Sequence, residues 1–390
     1  MNYIIHLTER CNLKCKYCYE NKNEKDIEFK NIQKLIDNEI KEKRDYVVLT
    51  FYGGEPLLRK DLIYNTIDYI KSKKCKTKFY FGMTTNGTLL DEQFIKYIRQ
   101  NDFLNIAYSF DGVKEIQNLN RITINGEGTF DIVESNAKEL LKNYKNVVAM
   151  VVVTKNNINM LKESIEYLIK VGFENFNLLF DYLQDWKDED LRIIKEQYGE
   201  VAKIYYDKIL KEEGINISVF DEKIRAYIKE GYNCNEDCNL GVKSINVGTD
   251  GNFYPCMQFV GDEKYIIGNC EEGINFSARK KLTEHAGVEN EICKECSINK
   301  RCKHTCACKN YLTTKDINGL SPLVCEFERI IVEISDKIAG DLYKQNSKLF
   351  IQKYYNKNYD IYRQIIRNKK GNRKYGNKMC QKGKNGISKN

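Results

Sequence analysis

Three cysteines fall within eight residues near the start of the chain, in CNLKCKYC (11–18): Cys11, Cys15 and Cys18. A disulfide uses two thiols, and a closed metal site usually uses four ligands. Three thiolates suit a four-iron cluster, because each holds one iron and the fourth iron stays open to a small molecule. A zinc site completed by His6 or a distant residue is the competing reading. Zinc favours two C-x2–4-C pairs, whereas the spacing here is C-x3-C-x2-C with Tyr17 just before the last cysteine. Cysteines crowd again further on, at Cys234, Cys238 and Cys256, then Cys293-x2-Cys296-x5-Cys302-x3-Cys306, then Cys325. Two zinc sites would also account for such pairs.

The whole chain has 15 cysteines in 390 residues. Glu9, Arg10 and Cys11 interrupt any apolar run at the N-terminus, so it does not read as a secretion signal. No apolar window is long enough to span a membrane. The expected location is the cytoplasm, where an odd cysteine count points to ligation rather than to disulfides.

The elements that must carry these residues alternate. β-rich runs lie at 3–8, 46–52, 77–85, 103–110, 146–154 and 175–180. Between them are helical spacings such as Ile32, Leu35, Ile36 and Ile40, and a segment ending at Gly172, a helix C-cap. Strand–helix alternation implies parallel pairing through helical crossovers. Six units predict an α/β fold, a partial (β/α)6 TIM-like barrel. Chemistry in such barrels gathers at the C-terminal strand ends. There the sequence places Cys11–Cys18 after the first strand, GGEP (53–56) after the second, TTNG (84–87) after the third and SFDG (109–112) after the fourth. The expected division is a barrel over 1–220, a cysteine-rich domain over 230–330, and a C-terminal helix and basic tail over 331–390, with a boundary near 215–233.

Net charge is +8, and its distribution is uneven. Residues 344–390 hold 14 Lys and Arg against one acid, Asp360, a net +13, so the remainder is −5. The basic character belongs to a solvated tail. No nucleic acid partner is expected. The sharper reading of the tail is an electrostatic patch for an acidic peptide.

The opening stretch, with the barrel pattern and GGEP behind it, resembles the radical S-adenosylmethionine (SAM) superfamily. The resemblance implies that the open iron chelates the amino and carboxylate groups of SAM, and that a 5′-deoxyadenosyl radical abstracts hydrogen. It implies that Gly53, Gly54, Glu55 and Pro56 hold the methionine ammonium, that Ser109 contacts SAM and that Tyr17 lies against the adenine. Core packing is the alternative for Tyr17. Arg121 would bind a carboxylate or face solvent. Related enzymes often carry a His-Asp pair where this chain has Gln117 and Asn118, a departure that speaks against a catalytic duty of the pair here.

The second cysteine series resembles the SPASM extension of peptide-modifying radical SAM enzymes, and the likeness covers roughly residues 1–330. It implies two auxiliary 4Fe–4S clusters. Cys238, Cys256 and Cys306, with Cys234 as fourth ligand, would serve one; Cys293, Cys296, Cys302 and Cys325 would serve the other. Cys75, Cys270, Cys308 and Cys380 receive no chemistry. The implied activity is modification of a ribosomally made Cys-rich precursor peptide, by thioether formation, with a small electron donor such as flavodoxin or ferredoxin. Sulfatase maturases place an Asp after the G-x4-C cysteine; this chain has Met257, and a thioether cannot take a proton. Formylglycine generation is the alternative enzyme reading. A non-catalytic electron-transfer protein is the alternative of another class, although such a protein needs no SAM motifs. No separate leader-binding domain is seen before the first motif, so leader recognition is expected to use another surface or protein.

Overall fold

The computed structural model describes residues 1–20, 22–231, 240–286 and 290–356. In chain order the elements are β1 (Asn2–Thr8), α1 (Phe29–Lys41), β2 (Tyr46–Gly53), α2 (Lys60–Ser72), β3 (Lys78–Thr85), α3 (Glu92–Gln100), β4 (Phe103–Ser109), α4 (Lys114–Asn120), α5 (Phe130–Asn143), β5 (Val147–Val153), α6 (Leu161–Val171), β6 (Asn175–Phe180), α7 (Asp188–Leu210), β7 (Asn216–Ile217) and α8 (Ser218–Ile228). The cysteine-rich part follows with β8 (Ser244–Val247), β9 (Phe253–Tyr254), β10 (Gly268–Asn269), β11 (Gly273–Ile274), α9 (Phe276–His285), α10 (Glu291–Lys294) and α11 (Ala307–Thr314). Two helices end the described chain, α12 (Pro322–Lys344) and α13 (Lys348–Tyr355).

One sheet organises the molecule, in the order β7-β6-β5-β4-β3-β2-β1-β8-β9. Strands β1 to β7 pair in parallel with their neighbours, as helical crossovers require. This is the TIM-like partial barrel of the sequence expectation, and the six expected strands match β1–β6 to within a residue or two at each end. Alternation explains the packing. In β5, VVAMVVV, every second residue is buried, and Phe51 stacks on Phe81 across neighbouring strands at 6.0 Å. Helix α1 turns Ile32, Leu35 and Ile36 inward. Gly172 closes α6 at φ 116°, a conformation that costs any other residue.

The expected boundary near 215–233 is occupied by regular structure, since β7 and α8 both lie in it. The sheet also continues past the first strand, on its other side. Strand β8 pairs in parallel with β1, and β9 returns antiparallel to β8. The chain therefore reaches Cys256 from β9, one strand removed from β1, whose far end leads into the cysteine loop. Helix α12 packs along α7 and α8, with Phe327 stacked on Phe180 at 4.3 Å. Among the described residues no helix is long and apolar enough to cross a membrane.

Candidate radical and iron–sulfur site

The four motif loops meet at the C-terminal ends of β1–β4, and Glu55 joins three of them. Its side chain is fully buried and accepts the Leu57 N–H at 3.1 Å, the Thr85 hydroxyl at 2.8 Å and the Asn86 N–H at 2.7 Å. Burial pushes this carboxyl up to about 7, and the three donors oppose that shift. Asn86 carries the chain of contacts onward: its Nδ2 donates to Asn12 Oδ1 at 3.0 Å and approaches Cys11 Sγ at 3.9 Å. In this arrangement the Glu55 oxygens already serve donors of their own chain.

Gly53 and Gly54 press the end of β2 onto the base of the cysteine loop. A Cβ on Gly54 would stand 2.2 Å from the Arg10 carbonyl oxygen, and one on Gly53 2.2 Å from that of Thr8. Space at these points is needed for the Gly54 N–H to reach Thr8 O at 2.8 Å and the Glu55 N–H to reach Arg10 O at 2.9 Å. Pro56 is buried as the first residue of the short turn that follows.

The other side of the cysteine loop is held by residues 120–123. The Lys14 N–H donates to Ile122 O at 2.8 Å and the Lys16 N–H to Asn120 O at 3.0 Å. Beneath lies Asp111, almost fully buried. It accepts the Tyr17 hydroxyl at 2.5 Å, Arg121 Nη2 at 3.1 Å and the Val152 N–H at 3.1 Å. The Arg121 guanidinium lies 5.2 Å from the Tyr17 ring centroid. Its Nε is buried with no partner among the described residues, a donor placed for a ligand's acceptor. Ser109, half-buried, ends β4 opposite Met150. Gln117 and Asn118 have structural duties: Gln117 accepts the Asp111 N–H at 2.9 Å, and Asn118 accepts the Phe130 N–H at 2.9 Å.

The three thiols themselves are graded in exposure, with Cys11 and Cys15 half-buried and Cys18 exposed. Burial pushes the Cys11 thiol up to about 11, and raises Cys15 against the opposing charge of Arg121. Cys11 Sγ also accepts the Leu13 N–H at 3.4 Å. N–H donors aimed at one sulfur and a guanidinium facing another are what thiolate ligands of an iron–sulfur cluster need. The donor set fits that group.

The Cys256 loop abuts the first site. Met257 Sδ accepts the Tyr19 hydroxyl at 3.1 Å, and Tyr19 and Tyr52 hydroxyls lie 2.6 Å apart. Thr249 donates to Glu9 across the same seam. Beyond it, Cys293 is buried and Cys296, Cys302, Cys306 and Cys325 are half-buried. The Cys302 thiol feels Cys325, and Cys325 feels Cys296, so three members of the expected second set are neighbours. Cys308 Sγ lies 3.5 Å from Cys306 Sγ. Cys234 and Cys238 lie outside the described residues. Among the described residues no group of three His, Cys, Asp or Glu is placed to hold a single metal ion; a cubane gives each thiolate its own iron.

Sequence reasoning quoted SFDG for its serine and missed Asp111, and it quoted TTNG without assigning Thr85 or Asn86. Both motifs signalled polar residues at strand ends. What they bind depends on long-range contacts.

Comparison with known proteins agrees with this geometry. Residues 5–168 match the model of the Radical SAM superfamily. The chain is 29% identical over 326 residues to the cysteine-type anaerobic sulfatase-maturating enzyme of Clostridium perfringens strain 13, covering 76% of this chain and 85% of that protein. In structure it resembles native anSMEcpe with bound AdoMet and Kp18Cys peptide, with a TM-score of 0.74, 23% identity and coverage of 88% of this chain and 99% of that one. It also resembles Streptococcus suis SuiB bound to precursor peptide SuiA, with a TM-score of 0.59, 17% identity and coverage of 83% and 75%. The cysteine loop, the parallel barrel strands and the matched region coincide on one set of strand ends, so residues 5–168 are a Radical SAM domain, a family whose cofactors are a 4Fe–4S cluster and S-adenosylmethionine.

Proposed function

We propose that this radical SAM enzyme oxidatively modifies a cysteine-containing peptide, closing a thioether between the Cys sulfur and a carbon. The observation that carries the choice is Met257. The residue after Cys256 lies against Tyr19, next to Cys18, and its thioether sulfur accepts a hydrogen bond but cannot hold a proton at neutral pH. A second reading, conversion of a peptide Cys to formylglycine, is favoured by the similarity to the cysteine-type sulfatase-maturating enzyme.

Roles follow for this chain's own residues. Cys11, Cys15 and Cys18 hold the radical-site cluster. Gly53 and Gly54 bring backbone close to it, while Glu55 fixes the loop ends of β2 and β3. Arg121 offers its spare Nε to the SAM carboxylate, with Asp111 keeping the guanidinium in place and Ser109 and Tyr17 lining the same space. Cys256 and Cys306, with Cys234 and Cys238, hold one auxiliary cluster, and Cys293, Cys296, Cys302 and Cys325 the other; the cationic neighbours of Cys302, Cys306 and Cys325 suit that duty. When bound, cluster and SAM supply a one-electron reductant and a hydrogen-abstracting adenosyl group. The peptide gives up one hydrogen atom, one proton and one electron per thioether. The first electron comes from a small carrier such as flavodoxin or ferredoxin. Residues 1–220, 230–330 and 331–390 are the barrel, the auxiliary-cluster domain and the terminal helix with its tail, and β8 of the second region completes the sheet of the first.

The test is to incubate the reconstituted, reduced protein with SAM and Cys-containing peptides, then reduce, alkylate and weigh them. A product two hydrogens lighter that resists alkylation supports the thioether. Loss of the cysteine sulfur with formation of an aldehyde promotes the second reading. SAM cleavage with every peptide unchanged contradicts both.

A further inference from the structure

A charged network is buried beside the auxiliary cysteines, and no role above uses it. Glu328 on α12 has only 4% of its surface exposed. Its carboxylate pairs with Lys309 Nζ at 3.0 Å and with Lys223 Nζ. It also accepts the Lys303 N–H at 3.3 Å, next to Cys302. Lys309 follows Cys306 by three residues at the start of α11, so both lie on one face of the first turn, and its backbone N–H is aimed at the Cys306 sulfur. The Lys309 ammonium rests over the Tyr182 ring, 5.5 Å from its centroid, on the loop after β6. Cys302 faces Lys309, Lys223 and Glu328 together.

Buried ion pairs add little net stability, since desolvation consumes most of the Coulomb gain. An apolar contact would staple α12 to this loop at lower cost. Charges do have a use here if the neighbouring sulfurs hold an anionic cluster. Reducing such a cluster adds one more negative charge, which a near cation favours and a near carboxylate opposes.

We propose that the buried Lys309–Glu328 pair sets the reduction potential of the auxiliary cluster held by Cys293, Cys296, Cys302 and Cys325, acting beside Cys302, with Lys309 raising it and Glu328 lowering it. This rests on the auxiliary-ligand reading above. These are positioning charges, and neither residue touches substrate.

The test uses the full chain, anaerobically reconstituted, with Cys11, Cys15 and Cys18 replaced by Ala so that only auxiliary clusters report. Each protein is titrated with dithionite and mediators while the reduced clusters are followed by electron paramagnetic resonance. In K309M the midpoint should fall, changing the reduced-to-oxidised ratio about tenfold at fixed potential, or about 59 mV for a one-electron couple. In E328Q it should rise by a similar amount, and K309R should stay near the parent. Shifts of the same sign in K309M and E328Q, or none, would overturn the inference. So would loss of iron from K309M and K309R alike, which would mark a packing role. A parent protein that holds no iron would instead refute the auxiliary-ligand reading, and the inference with it.

Discussion

The two cysteine regions of this molecule are built differently. The loop at 11–18 grows from β1, whose Ile5 and Leu7 are fully buried, and it is braced by Glu55, Asn86 and Asp111, all inside the barrel. Its shape is dictated by a core that exists without metal. In the region from Leu240 to Cys325, Ile245, Val247, Phe253 and Ile267 join the barrel's core, while Leu240, Phe259 and Ala307 form a small core of their own with partly buried neighbours. Helix α9 buries no residue and α10 is four residues long. From Phe276 on, this region buries little apolar surface of its own; on the proposed cluster assignment, ligation contributes folding energy there, as in small metal domains. The first region is a cradle braced by a packed core, and on the proposed assignment the second, from Phe276 on, is shaped by what it binds.

The largest expected effect separates the two most sharply. Stripping iron with a chelator should open residues 276–325 to protease, with cleavage at least about tenfold faster than in the loaded protein, while the barrel fragment survives. Equal protection of both regions after iron removal would erase the distinction.

A substitution in the cradle should act in the opposite sense. Gly54→Ala drives a Cβ to within 2.2 Å of a carbonyl oxygen and should destabilise the barrel by roughly 3 kcal/mol, read by chemical denaturation. The cysteine-rich region's own iron should be kept. Unchanged stability would mean that the close approach of β2 to the loop is dispensable.

Glu55 gives a pH signature of similar or smaller size. Its folded value of about 7 lies above the ordinary 4.5, so the folded chain holds this proton more tightly than the unfolded one. Its contribution is fully favourable below about pH 4.5 and is lost as pH rises through 7, by roughly 3 kcal/mol. Glu55→Gln should flatten that part of the stability profile between pH 5 and 8. A variant with the parent's slope would assign the dependence elsewhere. The smallest effect is at the loop's far brace: Tyr17→Phe removes one hydrogen bond to the Asp111 carboxylate and should cost about 2 kcal/mol, with SAM binding weakened and not abolished. Calorimetry of SAM on the reconstituted protein would show it.

The same contrast explains what was legible in the sequence. Strands β1–β6 could be read because each is a run of β-formers bounded by helical spacing, and Gly172 marked its own C-cap. Strands β7 and β9 are two residues each, and β8 is recognisable only by its pairing with β1 across more than 200 residues. The cysteines were visible by type and spacing. Their braces were not, because Asp, Asn and Thr at strand ends are common, and only the folded sheet brings Asp111 to Tyr17 or Asn86 to Cys11. Nothing in the sequence singles out Lys309 or Glu328, because helical periodicity does not reveal that α12 packs Glu328 against Lys309 and Lys223. Cys306 and Cys308 stand two apart in sequence, and only the turn into α11 brings their sulfurs together.

The central claim is that the loop at 11–18 cleaves SAM reductively. The direct measurement is 5′-deoxyadenosine, quantified after the anaerobically reconstituted and dithionite-reduced chain is mixed with SAM, beside a variant with Cys11, Cys15 and Cys18 replaced by Ala. The account predicts 5′-deoxyadenosine from the parent and none above background from the variant, while the variant retains auxiliary iron. Equal 5′-deoxyadenosine from both proteins, or none from a parent carrying its full iron, would contradict it.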